Sequence, residues 1–145
     1  MFRQSTWEDL DRVFEMKKSG LKKYVKKIWG WDEEKQINLH RAYFKPKSTT
    51  IISHNGQDIG YLVKDVSENE LYIENLILKS EFQNLGFGTR IIQLIIEECK
   101  IRERAIRLKV FKINERAIQF YKKIGFNQIS ETDLHFEMVK TDIQM

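Results

Sequence analysis

Between Gln83 and Thr89 the chain reads Gln83-Asn84-Leu85-Gly86-Phe87-Gly88-Thr89, a run of residue types suited to holding an anion. A strand-like stretch ends just before it and a helical one follows. Its backbone N–H groups therefore gather at a helix N-terminus, where orphan donors and the helix dipole both favour negative charge. Gly86 and Gly88 permit a sharp turn and a close ligand approach to the backbone. Thr89 adds a hydroxyl donor, and no acidic side chain interrupts the run. Read alone, such a turn can equally serve only to reverse the chain. Two commoner phosphate loops are excluded. A Walker loop ends in Gly-Lys-Ser/Thr, which is absent. A dinucleotide turn needs a third glycine where Ile91 stands, and an acidic residue about 20 positions on, where Leu108 and Lys109 stand.

Other reactive side chains are sparse. His40, His54, His135 and the lone Cys99 have no metal-ligand spacing, so no metal site is expected. Cys99 shares a helix face with isoleucines and has no histidine nearby, which suits a buried structural thiol better than an acyl carrier. Lysines 17, 18, 22, 23, 26 and 27 are the densest basic cluster. Positions 18, 22 and 26 fall on one helical face with no interleaved aromatic for base stacking, so a solvated face is expected and no nucleic-acid partner.

The elements that position these residues follow from periodicity. Thr6 or Ser5 caps a helix with Glu8 and Asp9 in its first turn, carrying Leu10, Val13, Phe14 and Met16 and broken at Gly20. Leu21–Trp29 is a further short segment. Asp32 caps a second helix reaching about Phe44. From Thr49 the pattern becomes strand-like, Asn55-Gly56 marks a hairpin, and the return strand spans 58–64. A third strand spans Leu71–Leu78. Then come a helix over Arg90–Arg102, a strand over Ile106–Phe111, a helix over Glu115–Ile124 closed by Gly125, and strands over Phe126–Ile129 and His135–Lys140.

The loop, together with Asn114-Glu115-Arg116-Ala117-Ile118-Gln119-Phe120-Tyr121-Lys122-Lys123-Ile124-Gly125-Phe126, resembles the GCN5-related N-acetyltransferase (GNAT) superfamily. The first run matches its Gln/Arg-x-x-Gly-x-Gly/Ala motif, the second its Asn-x-x-Ala-x-x-Phe-Tyr-x-x-x-Gly-Phe pattern, and the element order agrees along nearly the whole chain. The resemblance implies an α+β (α/β) fold: a mixed, mostly antiparallel twisted sheet of six to seven strands with a splayed parallel pair, flanked by four helices. It implies one acetyltransferase domain over 1–145 and acetyl-coenzyme A as co-substrate. Asn84 and Leu85 depart from the glycine and basic residue usual there, without removing a backbone donor. Met1–Gln4 leaves little room for the first strand.

Site residues follow from the same resemblance. Loop residues Gln83, Asn84, Leu85, Gly86, Phe87, Gly88 and Thr89 bind the pyrophosphate. Backbone groups of Leu76, Ile77 and Leu78 take the pantetheine arm as an added strand, with the Leu78 N–H polarising the thioester carbonyl. Glu74, in a Glu-Asn-Leu-Ile-Leu run similar to that of polyamine acetyltransferases, is the expected general base. Tyr121 is the expected general acid and also lines the cofactor site with Asn114, which can cap its helix as well. The Tyr24–Glu34 stretch, with Trp29 and Trp31 around Gly30, looks like one in a subset of bacterial members. Either it receives a cationic amine through ring faces and acids, or both rings simply pack. His135 lines the cleft or makes a structural hydrogen bond. The expected partners are acetyl-coenzyme A and a primary amine of a small molecule or peptide.

Bulk properties agree. The chain has 145 residues, 41% hydrophobic and 32% charged, at net +4. That suits a folded domain with an anionic ligand. No apolar run spans a bilayer, no signal peptide is visible, and a cytoplasmic monomer or homodimer is expected. A sensor binding acyl-coenzyme A without turnover is the alternative, and a basic nucleic-acid-binding module is less favoured.

Overall fold

Side-chain caps set where the helices start. Thr6 and Asp9 form a reciprocal capping box around a 3-10 turn, Trp7–Asp9. Asp32 accepts from the backbone N–H of Lys35, and Asn114 from that of Ala117. Each satisfies a donor that the first helical turn would leave unpaired. In the computed structural model, which describes residues 1–142, the elements are β1 (Phe2–Gln4), α1 (Leu10–Trp29), α2 (Glu33–Tyr43), β2 (Thr49–His54), β3 (Gln57–Val66), β4 (Glu70–Leu78), α3 (Phe87–Arg102), β5 (Ala105–Phe111), α4 (Glu115–Lys123), β6 (Asn127–Glu131) and β7 (His135–Lys140). The seven strands form one mixed sheet in the order β1-β2-β3-β4-β5-β7-β6, with β4 and β5 as a parallel pair. Fold class and strand number are as the motifs implied.

The chain resolves into two compact units. The first comprises Met1–Val63 and Asn75–Phe87, the second Lys64–Glu74 and the chain from Gly88. In the first, β1 pairs antiparallel with β2, and β2 with β3. The Asn55-Gly56 turn has φ of 51° and 75°, the left-handed pair a tight hairpin needs. Val13 and Met16 of α1 join Phe44, Ile51, Tyr61 and Ile77 in the core, with Leu10 and Leu21 packed against it. Arg3 bonds both Asp9 and Asp58, and Arg12 also reaches Asp58 at 3.0 Å.

In the second unit, Glu70–Ile73 of β4 pairs in parallel with Ala105–Leu108 of β5. A parallel pair needs a crossover, and α3 supplies it. β7 pairs antiparallel with β5 and β6. Ile91, Ile92, Ile95 and Cys99 are the buried side of α3, and burial pushes the Cys99 thiol up, as expected of an inert core thiol.

One expectation about an element fails. Gly20 does not break the first helix, because α1 runs unbroken for 20 residues through it. The glycine is there for space. A Cβ at Gly20 would stand 2.5 Å from Ile77 Cγ2 and 2.7 Å from the Leu78 carbonyl oxygen. The helix keeps the glycine, despite its poor propensity, because the strand comes that close. The short first strand does form, Phe2 opposite Ile52. Helix α3 begins at Phe87 rather than Arg90, so its first turn includes part of the glycine loop.

Candidate cofactor loop and active-site residues

In the first unit, α1, β3 and the segment after β4 meet at the end of β4. Gly20 of α1 meets Ile77 and Leu78, as described above. Gly60 of β3 lies closer still: a Cβ there would fall 2.2 Å from the Ile77 carbonyl oxygen and 3.1 Å from Leu78 Cα. No larger residue fits either place. Beyond Leu78, the Lys79 N–H donates to the Ile59 carbonyl at 2.9 Å. The Ser80 N–H donates to Ser19 Oγ at 3.0 Å. The Gln83 side-chain amide donates to the Leu78 carbonyl oxygen at 2.9 Å. Helix, neighbouring strand and loop thus fix the Leu78 peptide. Gln83 belongs to this clamp, and its Nε2 is committed to the strand. Sequence reasoning missed Gly20 and Gly60, since nothing in a glycine's immediate neighbours distinguishes close approach from helix breaking.

The loop itself turns on two left-handed residues, Asn84 (φ 64°) and Gly86 (φ 88°). Asparagine tolerates this region better than most side chains, so the departure from glycine at 84 costs little. Asn84, Leu85, Gly86 and Thr89 are exposed. Phe87 anchors the start of α3 by edge contacts with His54 at 4.9 Å and Phe82 at 5.9 Å. Around Gly86 a Cβ would meet nothing within 4 Å. At Gly88 it would meet only Phe120 Cζ, at 3.8 Å. Gly88 is the second residue of α3, where glycine is a poorer helix former than alanine, by less than the about 1 kcal/mol of a helix interior, and neither packing nor a positive φ demands it.

In the second unit, Asn114 caps α4 with its side-chain oxygen 3.1 Å from the Ala117 nitrogen. Tyr121, seven residues on, is buried, with ring contacts to Phe120 and Phe126 at 5.2 and 5.4 Å. Burial pushes its phenol up to about 12, so the hydroxyl holds its proton at neutral pH. Glu74 is exposed on β4. His135 stacks on Phe111 at 4.6 Å, and burial, then the Lys109 charge, pull its imidazole below the ordinary value.

Trp31 and Trp29 differ in setting. Trp31 is half-buried, lies 6.5 Å from the Phe14 ring, has Lys22 Nζ 5.8 Å from its own ring, and donates its indole N–H to Glu33. Glu33 in turn pairs with Lys18. The ring, the indole N–H and this acid thus have partners within the chain, which favours the packing reading for Trp31. Trp29 is exposed. Among the described residues, no cluster of three or more His, Cys, Asp or Glu could hold a metal ion, and no helix is long and apolar enough to cross a membrane.

With that geometry in hand, similarity to known proteins identifies the class. The model of the Acetyltransferase (GNAT) family matches residues 7–126, and the chain belongs to that family. An uncharacterized N-acetyltransferase of Methanocaldococcus jannaschii is 28% identical over 154 residues, covering 95% of this chain and 65% of that protein. The thialysine N-epsilon-acetyltransferase of Bos taurus is 30% identical over 64 residues, covering 43% of this chain and 38% of that protein. The chain thus spans less than two thirds of the length of either curated relative. Among solved structures, the PaiA N-acetyltransferase of Thermoplasma acidophilum, in complex with coenzyme A, superposes with a TM-score of 0.79 at 20% identity, covering 97% of each chain.

Proposed function

We propose that the chain transfers an acetyl group from acetyl-coenzyme A directly to a primary amine, with the loop from Gln83 to Thr89 as the pyrophosphate site. The observation that carries this is Gly88. A glycine in the first turn of α3 weakens the helix without a packing reason, and the remaining reason is a ligand lying against the backbone there. The residues fit such a ligand: exposed N–H groups at a helix start, a left-handed turn before them, and no carboxylate in the run.

The cofactor supplies the acetyl group as a thioester; the chain's residues do the rest. Amides from Asn84 to Thr89 hold the diphosphate. Backbone groups of Leu76, Ile77 and Leu78 align the amide-bearing arm, and the Leu78 N–H, held still by the clamp, donates to the carbonyl oxygen. Glu74 takes the proton from the incoming ammonium, whose ordinary pKa is about 10.4. As the C–N bond forms and the C–S bond breaks, Tyr121 gives its hydroxyl proton to the sulfur, and the second proton that the nitrogen sheds on becoming an amide returns the phenolate to a phenol. A phenol raised by burial is a weaker acid. The same desolvation raises a thiolate placed against it, so burial does not by itself widen the mismatch. Holding both reactants in register is worth about 7 kcal/mol or more.

The test is Gly88→Ala. The variant is expected to melt no lower than wild type, from the helix propensity gained, and to bind coenzyme A at least about tenfold more weakly, because the methyl occupies the ligand's approach. Wild-type protein is stabilised by acetyl-coenzyme A and releases free thiol in the presence of an amine panel. Unchanged coenzyme A affinity in the variant would remove the loop assignment, and stabilisation without thiol release would make the protein a sensor.

A further inference from the structure

Helix α1 carries a lysine where its packing calls for an apolar residue. On a helix of 3.6 residues per turn, Leu10, Val13, Gly20, Leu21 and Tyr24 stand at −7, −4, +3, +4 and +7 from Lys17 and so share its face. Val13 and Gly20 are buried, and Leu10 and Leu21 pack against the core. Lys17 is at the centre of this arc, whereas Lys23, Lys26 and Lys27 are exposed. It is itself half-buried, and that burial lowers its ammonium pKa.

Among the described residues no carboxylate pairs with Lys17. Of the acids on α1, neither Asp11 nor Glu15 forms an ion pair with it, and Asp58 and Glu33 serve other cations, Arg12 and Lys18. The titratable group that does feel Lys17 is His40 of α2, another base. Burial holds His40 below its ordinary value, with Lys17 adding to the effect, and its Nε2 is engaged with the Leu10 carbonyl at 2.7 Å. Removing an ammonium from water without a partner is costly, and a leucine here would avoid the cost. The position also matters. Lys17 lies on the same face of α1 as Gly20, about 4.5 Å of helix rise away, and Gly20 is where the helix touches Leu78.

We propose that Lys17 is the receptor for a carboxylate carried by the acceptor, so that the acceptor class is amines bearing a carboxylate, such as amino acids, rather than simple diamines or polyamines. This rests on reading the end of β4 as the acetyl-transfer site. The acceptor supplies the missing anion, and its binding completes a charge-assisted hydrogen bond in a partly desolvated place, which strengthens it. Lys22 and Lys23 on the same helix add a positive field that draws such an anion in. A polyamine, positive at both ends, meets repulsion instead.

The experiment compares wild-type protein with Lys17→Met and Lys17→Arg, using L-lysine against 1,5-diaminopentane and L-ornithine against 1,4-diaminobutane. The members of each pair differ only in the carboxylate. Acetyl transfer is followed by thiol release, and binding by thermal shift in the presence of coenzyme A, which needs no turnover. Wild type is expected to favour the carboxylate-bearing member about 10- to 100-fold in KM or binding. Lys17→Met should erase that preference while leaving the KM for acetyl-coenzyme A alone and melting no lower than wild type, and Lys17→Arg should restore part of it. Equal treatment of both members by wild type, or a preference that survives Lys17→Met, overturns the proposal. So does a uniform fall in kcat for every amine with a shifted pH profile, since that would make Lys17 a base. Stabilisation by coenzyme A with no transfer to any amine would instead fail the transferase reading, and the thermal shifts would still decide the role of Lys17.

Discussion

Gly20→Ala separates two readings of the same residue by sign. At an ordinary exposed helix position, replacing glycine by alanine stabilises by about 1 kcal/mol. At Gly20 the new methyl would stand 2.7 Å from the Leu78 carbonyl oxygen and 2.5 Å from Ile77 Cγ2. The Ile77 methyl can turn aside. The carbonyl cannot, being backbone and tied to the Gln83 amide at 2.9 Å. Helix or strand must move, and forced overpacking costs about 1–3 kcal/mol. The net is a loss of about 0–2 kcal/mol, or a Tm lower by up to about 8 °C for a chain of 145 residues. The sharper readout is catalytic. Displacing the Leu78 peptide misplaces the donor proposed to face the carbonyl, and small misplacements cost about 10- to 100-fold in rate. Thermal denaturation and steady-state thiol release measure both. A Tm that rises by about 2–4 °C with kcat unchanged would refute the close-approach argument and restore Gly20 to an ordinary helix glycine. Gly60→Ala, with backbone only 2.2 Å away, should be worse on both counts.

Tyr121→Phe is expected to keep the fold, since the ring contacts remain, and to lower kcat by about 10²- to 10⁴-fold with the coenzyme A affinity little changed. Glu74→Gln should lower kcat/KM most at pH values where the acceptor is an ammonium. Wild-type pH–rate behaviour in both variants would end these assignments. Stability should also depend on pH through the histidines. Burial holds His40 and His135 below their ordinary value of 6.5 in the folded chain, so the unfolded chain binds protons first as pH falls through 6.5. Tm should therefore drop as the pH falls below 6.5 and level off once it is below the folded-state values. Thermal melts of His40→Asn and His135→Asn should show a shallower drop, and an unchanged slope would refute this.

Local signals were legible where the physics is local. The Asn55-Gly56 turn, the Asp32 and Asn114 caps, the apolar stripes of α3 and α4 and the burial of Cys99 all depend on residues within a few positions of one another. The loop motif and the Asn114–Phe126 pattern carried the fold class. Distances across the chain were not legible. Gly20 read as a helix breaker, because the strand it meets lies 57 or 58 residues on, at Ile77 and Leu78. That the Gln83 side chain reaches back to the Leu78 carbonyl was not visible either. Lys17 disappeared into a list of lysines, although its spacing from Leu10, Val13, Leu21 and Tyr24 was there to be counted.

The outer strand β6 has a consequence of a different kind. All five of its residues are exposed, and it pairs with β7 on one side and ends the sheet on the other. An open strand of this sort is a template for adding further chains. Its register shifts between Gln128 and Ser130, Glu131 pairs with Lys112, and Ser130 donates to Glu137. The irregular pairing and the charge at its end spoil the flat, repeating ladder that a second copy would need. Both features work against growth into fibres from this edge, and Ile129 is left as an exposed apolar residue within an irregular ladder.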